Sequence, residues 1–273
     1  MKRFEGILFC TDLDGTLYTD GKTVSAQNLQ AIEYFRSEGG LFSFITGRVP
    51  KISQDICNIL HQTIPYGCSN GGAIYDPVDQ QYLWKRFLPE EALELVRAVD
   101  GEMPDIGIQF NTEGGIFFVK DNAAMVRFRA LTGVPCEMRP LEGFAEPLLK
   151  ILFAHTDPTR ISALIQLLAQ LPAAPCVDFV CSEKTLYEIQ PKGTNKGAGL
   201  IKLAELLGVP LWRTIAVGDY YNDVSMLEQA GLSFAVANAV DAVKAAARYT
   251  TVSNNDHAIA AIVERLDSGA FVL

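Results

Sequence analysis

The sequence predicts an α/β protein in which a parallel sheet wrapped by helices is interrupted by an α+β insertion. Three observations carry this. Apolar runs of strand length alternate with helix-like segments at both ends of the chain, the pattern of a parallel sheet covered by helices. The middle breaks that alternation and sets its strands in pairs. Polar clusters at Asp12, Thr46 and Asp219 each follow directly on an apolar run, the place where open parallel sheets bind ligands.

The elements follow in order. Residues 7–10 are a short apolar strand; Ser25 then caps a helix whose Leu29, Ile32 and Phe35 recur at helical spacing until Gly39 and Gly40 stop it. Residues 41–45 (LFSFI) form the next buried strand, and Pro50 opens a helix at a position where proline is tolerated. In YGCSNGGAIYD the glycines at 67, 71 and 72 mark a tight turn after a strand, and AIYDPVDQQYLW reads as a hairpin bent at Asp76 and Pro77.

The insertion is expected to hold helices at 89–99, 123–131 and 159–171 and strands at 106–110, 116–119, 148–154, 177–180 and 186–189. Alternation then resumes, with helices at 194–207 and 223–229, strands at 214–217 and 234–236, and helices starting at Val240 and Ala258. The outer domain, 1–83 and 190–273, is therefore discontinuous around an inserted domain at 84–189.

Composition limits the possible functions. Of 273 residues 49% are apolar and 20% charged, ordinary usage for a folded chain. A formal net charge of −9, with no basic run, argues against nucleic acid as a partner. The apolar stretch after Lys2 and Arg3 is cut by Thr11 and Asp12 before it reaches signal-peptide length, and no run is long enough to span a membrane. The six cysteines form no CxxC pair and lie far in sequence from the three histidines, so reduced, mostly buried thiols and a cytoplasmic location are expected.

Asp12 and Asp14 stand two apart at a strand end, so an extended backbone puts both carboxylates on one face, and Gly15 lets the chain turn at once. Taken alone this suits a strand-end cap followed by an ordinary turn. It equally suits a cation site, because neighbouring carboxylates repel unless a cation or a shared proton relieves them, and all-oxygen donor sets favour magnesium.

Four segments in order decide between these readings. DLDGTL at 12–17, ITGR at 45–48, GTNKGAGL at 193–200 and VGDYYNDVSML at 217–227, with SNGGAIYD at 69–76, resemble the haloacid dehalogenase superfamily, and within it the Cof-type (subfamily IIB) phosphatases. The resemblance covers both flanks of the insertion. It implies a Rossmann-like catalytic core with an inserted cap of the C2B type that sets substrate specificity. It further implies a Mg2+-dependent phosphatase acting on small phosphorylated metabolites, such as sugar phosphates or phosphorylated cofactors, through an aspartyl-phosphate.

By the same resemblance Asp12 is the nucleophile and Asp14 the acid and base. Metal binding falls to Asp12, to Asp14 through its backbone carbonyl, and to Asp219, with Asp223 supporting that shell. Phosphoryl oxygens are met by the Thr46 hydroxyl, the backbone N–H groups of Leu13 and Gly47, Lys196 and the Asn222 amide. Lys192 competes for the lysine role, and Lys196 is preferred because it begins a lysine–glycine pair at a helix start. Asn222 is also placed to cap the helix after it. Arg48 either contacts substrate or forms a surface ion pair.

Residues 84–189 hold ten Lys and Arg against fifteen Asp and Glu, which favours a monophosphate substrate, although Arg127, Arg129 and Lys150 leave a local basic patch open. A sugar phosphomutase on the same framework and a non-catalytic phospholigand sensor are the alternatives. The intact Asp12, Asp14 and Asp219 speak against the sensor.

Overall fold

A computed structural model describes residues 2–271. In chain order its first elements are β1 (Leu8–Thr11), α1 (Ala26–Ser37), β2 (Leu41–Phe44), α2 (Pro50–Ile59), β3 (Tyr66–Cys68), β4 (Ala73–Asp76) and β5 (Gln81–Lys85). Next come α3 (Ala92–Glu102), β6 (Gly107–Thr112), β7 (Ile116–Lys120), α4 (Ala123–Thr132), β8 (Leu148–Ala154), α5 (Pro158–Ala169), β9 (Val177–Glu183) and β10 (Leu186–Pro191). The last are α6 (Lys196–Leu206), β11 (Thr214–Gly218), α7 (Val224–Gln229), β12 (Leu232–Ala235), α8 (Asp241–Ala246), β13 (Tyr249–Thr250) and α9 (Ala258–Asp267).

The chain divides into two compact units. One comprises Met1–Arg48, Gln54–Trp84 and Asn195–Leu273, the other Val49–Ser53 and Lys85–Thr194.

In the first unit a parallel sheet runs β13-β12-β11-β1-β2. Leu8, Phe9, Cys10 and Thr11 pair with Thr214, Ile215, Ala216 and Val217 on one side and with Leu41, Phe42, Ser43 and Phe44 on the other. All four β1 residues are buried, as expected of a central parallel strand covered on both faces. Phe9 meets Phe35 of α1 edge-on at 5.8 Å and Phe42 at 5.3 Å, a contact whose removal by truncation costs about 3–5 kcal/mol. The chain steps outward from β1 to β2 and returns on the opposite side through β11, so the strand order reverses at β1, where such sheets open a crevice. A smaller antiparallel sheet, β3-β4-β5, adjoins through a bridge between Ile45 and Gly67. Ser25 caps α1 by accepting from Asn28 N–H, as the sequence suggested.

The second unit is an antiparallel sheet ordered β7-β6-β8-β10-β9. Ile108, Phe110, Ile151, Phe153 and Ile189 project from one face and pack with Leu95 and Val99 of α3 and Leu164 and Leu168 of α5. Met125 of α4 packs with Phe118 and Leu152. The segment Val49–Ser53 belongs to this unit because Val49 and Ile52 join that second cluster.

Several expectations need correction. Gly67 lies within β3 opposite Ile74, not in a turn. Helix α3 starts at Ala92 instead of residue 89, because Ala92, Leu93 and Glu94 first donate to Pro89, Glu90 and Glu91 in a tighter i to i+3 turn. Strand β12 lies earlier than 234–236, and β13, two exposed residues beside Phe234 and Ala235, has no sequence signal of strand length. All six cysteines are free, but only Cys10, Cys57 and Cys68 are buried; Cys136, Cys176 and Cys181 are exposed, the last on the edge strand β9. Arg129 forks onto Asp121 and Lys150 pairs with Glu188, so each of these two charges is answered by a neighbouring carboxylate. Among the described residues no helix is long and apolar enough to cross a membrane.

Candidate active site

Asp12 follows the last residue of β1, and its N–H donates to Val217 O at 3.0 Å, which ties the carboxylate to the sheet. The turn behind it depends on Gly15, where φ is +84° and a Cβ would lie 2.5 Å from Asp219 Oδ2. Only glycine gives both the conformation and the space. Thr16 then donates its hydroxyl to Asp219 Oδ1 at 2.7 Å, and Asn238 donates to Gly15 O at 2.8 Å. The loop after β1 is thereby joined to the loops after β11 and β12.

Lys196 arrives from a third direction, as the first residue of α6. Asn195 caps that helix, accepting from Ala198 N–H at 2.8 Å. The helix approaches the loop after β3 closely because a Cβ on Gly199 would be 2.6 Å from the Gly71 Cα. The Lys196 ammonium donates to Asp12 Oδ1 and Asp223 Oδ1, both at 2.5 Å, and is almost wholly buried. The other oxygen of Asp223 accepts the N–H groups of Asp219 at 2.9 Å and Tyr220 at 3.0 Å. With both oxygens engaged, Asp223 acts as a support that fixes Lys196 and the Asp219 backbone.

Asp12, Asp219 and Asp223 each offer a carboxylate oxygen within 4.8 Å of the others. The electrostatics register the crowding. Burial, then the charges of Asp223 and Asp219, raise the Asp12 carboxyl well above its ordinary value against the opposing pull of Lys196. Burial and Asp223 push Asp219 up to about 6, with Thr16 and Lys196 opposing. Burial would lower the Lys196 ammonium, but Asp12 and Asp223 outweigh it and hold the group above its usual value. An all-oxygen donor set of clustered carboxylates with raised protonation fits a hard divalent cation.

The Asp14 side chain lies outside that group. It accepts from Arg48 Nε at 3.0 Å, Arg48 Nη2 at 2.8 Å and Lys22 Nζ at 2.9 Å. Burial would raise this carboxyl, but Arg48 and then Lys22 hold it below the usual range. Arg48 is thus a part-buried, two-pronged clamp on Asp14, with its guanidinium 5.2 Å from the Tyr18 ring centroid. That differs from a simple surface pair.

The remaining candidates converge unevenly. Thr46, buried after β2, accepts Arg48 N–H on its hydroxyl at 3.2 Å, which leaves its own proton to donate. Leu13 and Gly47 directly follow Asp12 and Thr46 at the strand ends. Asn222 is not a helix cap: it sits inside a tight turn, Tyr220 and Asp223 make the capping contacts, and its amide donates to Asn70 Oδ1 at 3.1 Å. Lys192 belongs to the other unit, where it pairs with Asp178 at 3.2 Å. Sequence reasoning missed Lys22, Thr16, Asn70 and Asn238. Thr16 and Asn70 lay inside quoted motifs, whereas Lys22 and Asn238 carried no signal of their own.

A family model of haloacid dehalogenase-like hydrolases matches residues 9–263. The chain belongs to that family. Among similar proteins, the 5-amino-6-(5-phospho-D-ribitylamino)uracil phosphatase YitU of Bacillus subtilis is 29% identical, with 93% of this chain and 94% of the relative covered. The pyridoxal phosphate phosphatase YbhA of Escherichia coli is 27% identical over 92% of this chain and 95% of the relative. A solved haloacid dehalogenase-like hydrolase from Bacteroides thetaiotaomicron shares the fold with a TM-score of 0.83 at 25% identity, covering 95% of this chain and 99% of that one. As a member of this family the chain is an enzyme, a phosphatase of the Cof type.

Proposed function

We propose that this phosphatase hydrolyses small phosphorylated metabolites in the cytoplasm by Mg2+-dependent, two-step phosphoryl transfer through Asp12. The observation that carries the reading is the buried Lys196 ammonium at 2.5 Å from both Asp12 and Asp223, with Asp219 beside them, at the carboxyl end of β1.

Asp12 attacks phosphorus, and the departing alkoxide takes a proton from Asp14; water then attacks the aspartyl-phosphate, gives its proton back to Asp14 and releases phosphate. Magnesium would be held by Asp12, the Asp14 carbonyl and Asp219, and supplies positive charge that lets an anionic nucleophile meet an anionic phosphate. Thr46, the N–H groups of Leu13 and Gly47, and Asn222 donate to the phosphoryl oxygens, where charge sits in the transition state. Asp14 must gain a proton for the first step while Arg48 and Lys22 favour its ionised form. An arriving phosphate competes for the Arg48 guanidinium and so frees Asp14 to take that proton.

The insertion is read as the substrate-selecting domain. The two curated relatives act on a ribitylamino-uracil phosphate and on pyridoxal phosphate, leaving groups unlike enough that overall similarity does not choose between them. The test is phosphate release from a panel of phosphorylated metabolites, with magnesium or chelator, and with Asp12→Asn alongside. Magnesium-dependent release that vanishes in Asp12→Asn is expected. Wild-type turnover by that variant would exclude covalent catalysis at Asp12, and isomerised product without free phosphate would select a mutase.

A further inference from the structure

The loop that follows β1 folds back on itself. Tyr18 N–H donates to Leu13 O at 2.8 Å, Thr19 N–H to Thr23 O at 2.9 Å and Lys22 N–H to Thr19 O at 2.9 Å. Asp14 stands at its start, and Lys22, which reaches back to Asp14, near its end. These bonds shape the loop without fixing its outer half on the sheet, and the Lys22 side chain is 67% exposed.

The turn of residues 253–255, between β13 and α9, supplies that hold. Asn254 is 1% exposed, and both polar atoms of its side chain are engaged. Its Nδ2 donates to Tyr18 O at 3.0 Å and to Asp20 Oδ1 at 3.1 Å, while its Oδ1 accepts the Ser253 hydroxyl at 3.2 Å. Its N–H donates to Asn238 Oδ1 at 3.0 Å, and Asn238 Nδ2 donates at 2.8 Å to Gly15 O, the carbonyl directly after that of Asp14. Asn255 exchanges two bonds with Asp20: it accepts from Asp20 N–H on Oδ1 and donates from Nδ2 to Asp20 Oδ2, each at 3.0 Å. The strand before the turn is tied to β12 and its exit, Thr251 N–H donating to Ala235 O at 2.9 Å and Ala237 N–H to Val252 O at 3.2 Å. All of these residues lie in the first unit.

A buried amide is costly unless its hydrogens are met, and Asn254 meets both of them on this one loop, 236 and 234 positions away. Gly15, Tyr18 and Asp20 thereby take fixed places on the parallel sheet that carries Asp12. Proton transfer to a departing oxygen requires hydrogen-bond reach, and a misplacement of about 1 Å caused by a distant change can cost about a hundredfold in rate. We propose that Asn254 is a positioning residue for proton transfer by Asp14, acting through Asn238 on Gly15 and directly on Tyr18 and Asp20, a role that rests on the reading of Asp14 as acid and base.

The test uses the full chain with Asn254→Ala and with Asn238→Ala, an exposed position whose loss breaks the link to Gly15 alone. Ser25→Ala, which uncaps α1 and touches neither loop, controls for lost stability. Two readouts are taken at saturating magnesium: kcat/KM for an alkyl phosphate, whose alkoxide needs a proton to leave, against p-nitrophenyl phosphate, whose phenolate does not; and amide hydrogen exchange of residues 13–23. Both loop variants are expected to lose more than about tenfold on the alkyl ester and less than about twofold on p-nitrophenyl phosphate, with faster exchange across 13–23. The control should keep the parent's ratio and exchange. Equal losses on both esters, no loss on either, or unchanged exchange in both loop variants overturns the positioning role. Faster exchange in variants of a protein that releases no phosphate from any ester overturns the phosphatase reading and leaves the clamp on the loop standing.

Discussion

Replacing Lys196 with methionine keeps the length of the side chain and removes the one ammonium that touches both Asp12 and Asp223. The Lys196 side chain is 1% exposed, and those of Asp12 and Asp223 are 9% and 0%, so water cannot take over the solvation. Breaking a buried ion pair from one side costs about 3–5 kcal/mol. For a chain of this size that lowers Tm by roughly 10 °C.

The loss must depend on pH with a definite sign. Asp12 already has a raised carboxyl, and without Lys196 it rises further, so the native variant holds protons that the unfolded chain has released. Stability then falls as pH rises through that window, and the deficit is largest at neutral pH and shrinks toward about pH 5. Adding Asp223→Asn to Lys196→Met removes one of the stranded charges and should recover a large part of the loss, a coupling that a double-mutant cycle reads directly. Thermal unfolding by circular dichroism in chelator, at about pH 5 and about pH 7.5, is the assay. A Lys196→Met loss below about 1 kcal/mol, or one that does not diminish in acid, would refute the view that Lys196 neutralises this cluster.

Three further outcomes follow from the same geometry. Asp219, raised to about 6, binds extra protons in the native state, so Asp219→Asn in chelator should be more stable than the parent by about 1–2 kcal/mol above pH 7 and lose that advantage as the pH falls through 6 toward 4; Tm against pH checks this, and magnesium should raise Tm in the parent alone. Arg48→Gln removes the larger clamp on Asp14, so the Asp14 carboxyl should rise and the limb of the pH–rate profile that reports it should move to higher pH, and an unmoved limb would refute the clamp. Gly71→Ala puts a Cβ 2.3 Å from Asn195 O at a φ of +84°; a loss of more than about 2 kcal/mol in urea unfolding is expected, with activity falling as α6 is pushed out of place.

Those parts of the site that sit at strand ends were legible in the sequence. Asp12, Thr46 and Asp219 each end an apolar run, and a short run ended by a carboxylate or hydroxyl and a glycine is a local signal that survives without knowledge of the fold. Partnerships across the chain were not legible. Thr16 meets Asp219 across 203 positions, and Asn238 meets Gly15 across 223; nothing in the residue types at either end announces the other. Arg48 stood two residues from Thr46, yet only the turn after β2 decides that its guanidinium folds onto Asp14 instead of facing solvent. Asn222 had two sound local readings, and its amide goes to Asn70, a partner that neither reading contained.

Charge arithmetic shows why the site is built for more than its own side chains. Asp12, Asp219 and Asp223 bring three negative charges against the single positive charge of Lys196, and burial together with this crowding raises the carboxyls of Asp12 and Asp219. One divalent cation cancels what is left. Beside this cluster, Arg48 and Lys22 bring two positive charges to the single carboxylate of Asp14, an excess that invites an anion. A dication on one side and a phosphate on the other balance two neighbouring imbalances of opposite sign. Either ligand alone leaves one of them standing, so each should bind more tightly in the presence of the other, and calorimetric titration of magnesium with and without inorganic phosphate measures that coupling. Independent affinities would mean that the two halves of the site are satisfied separately.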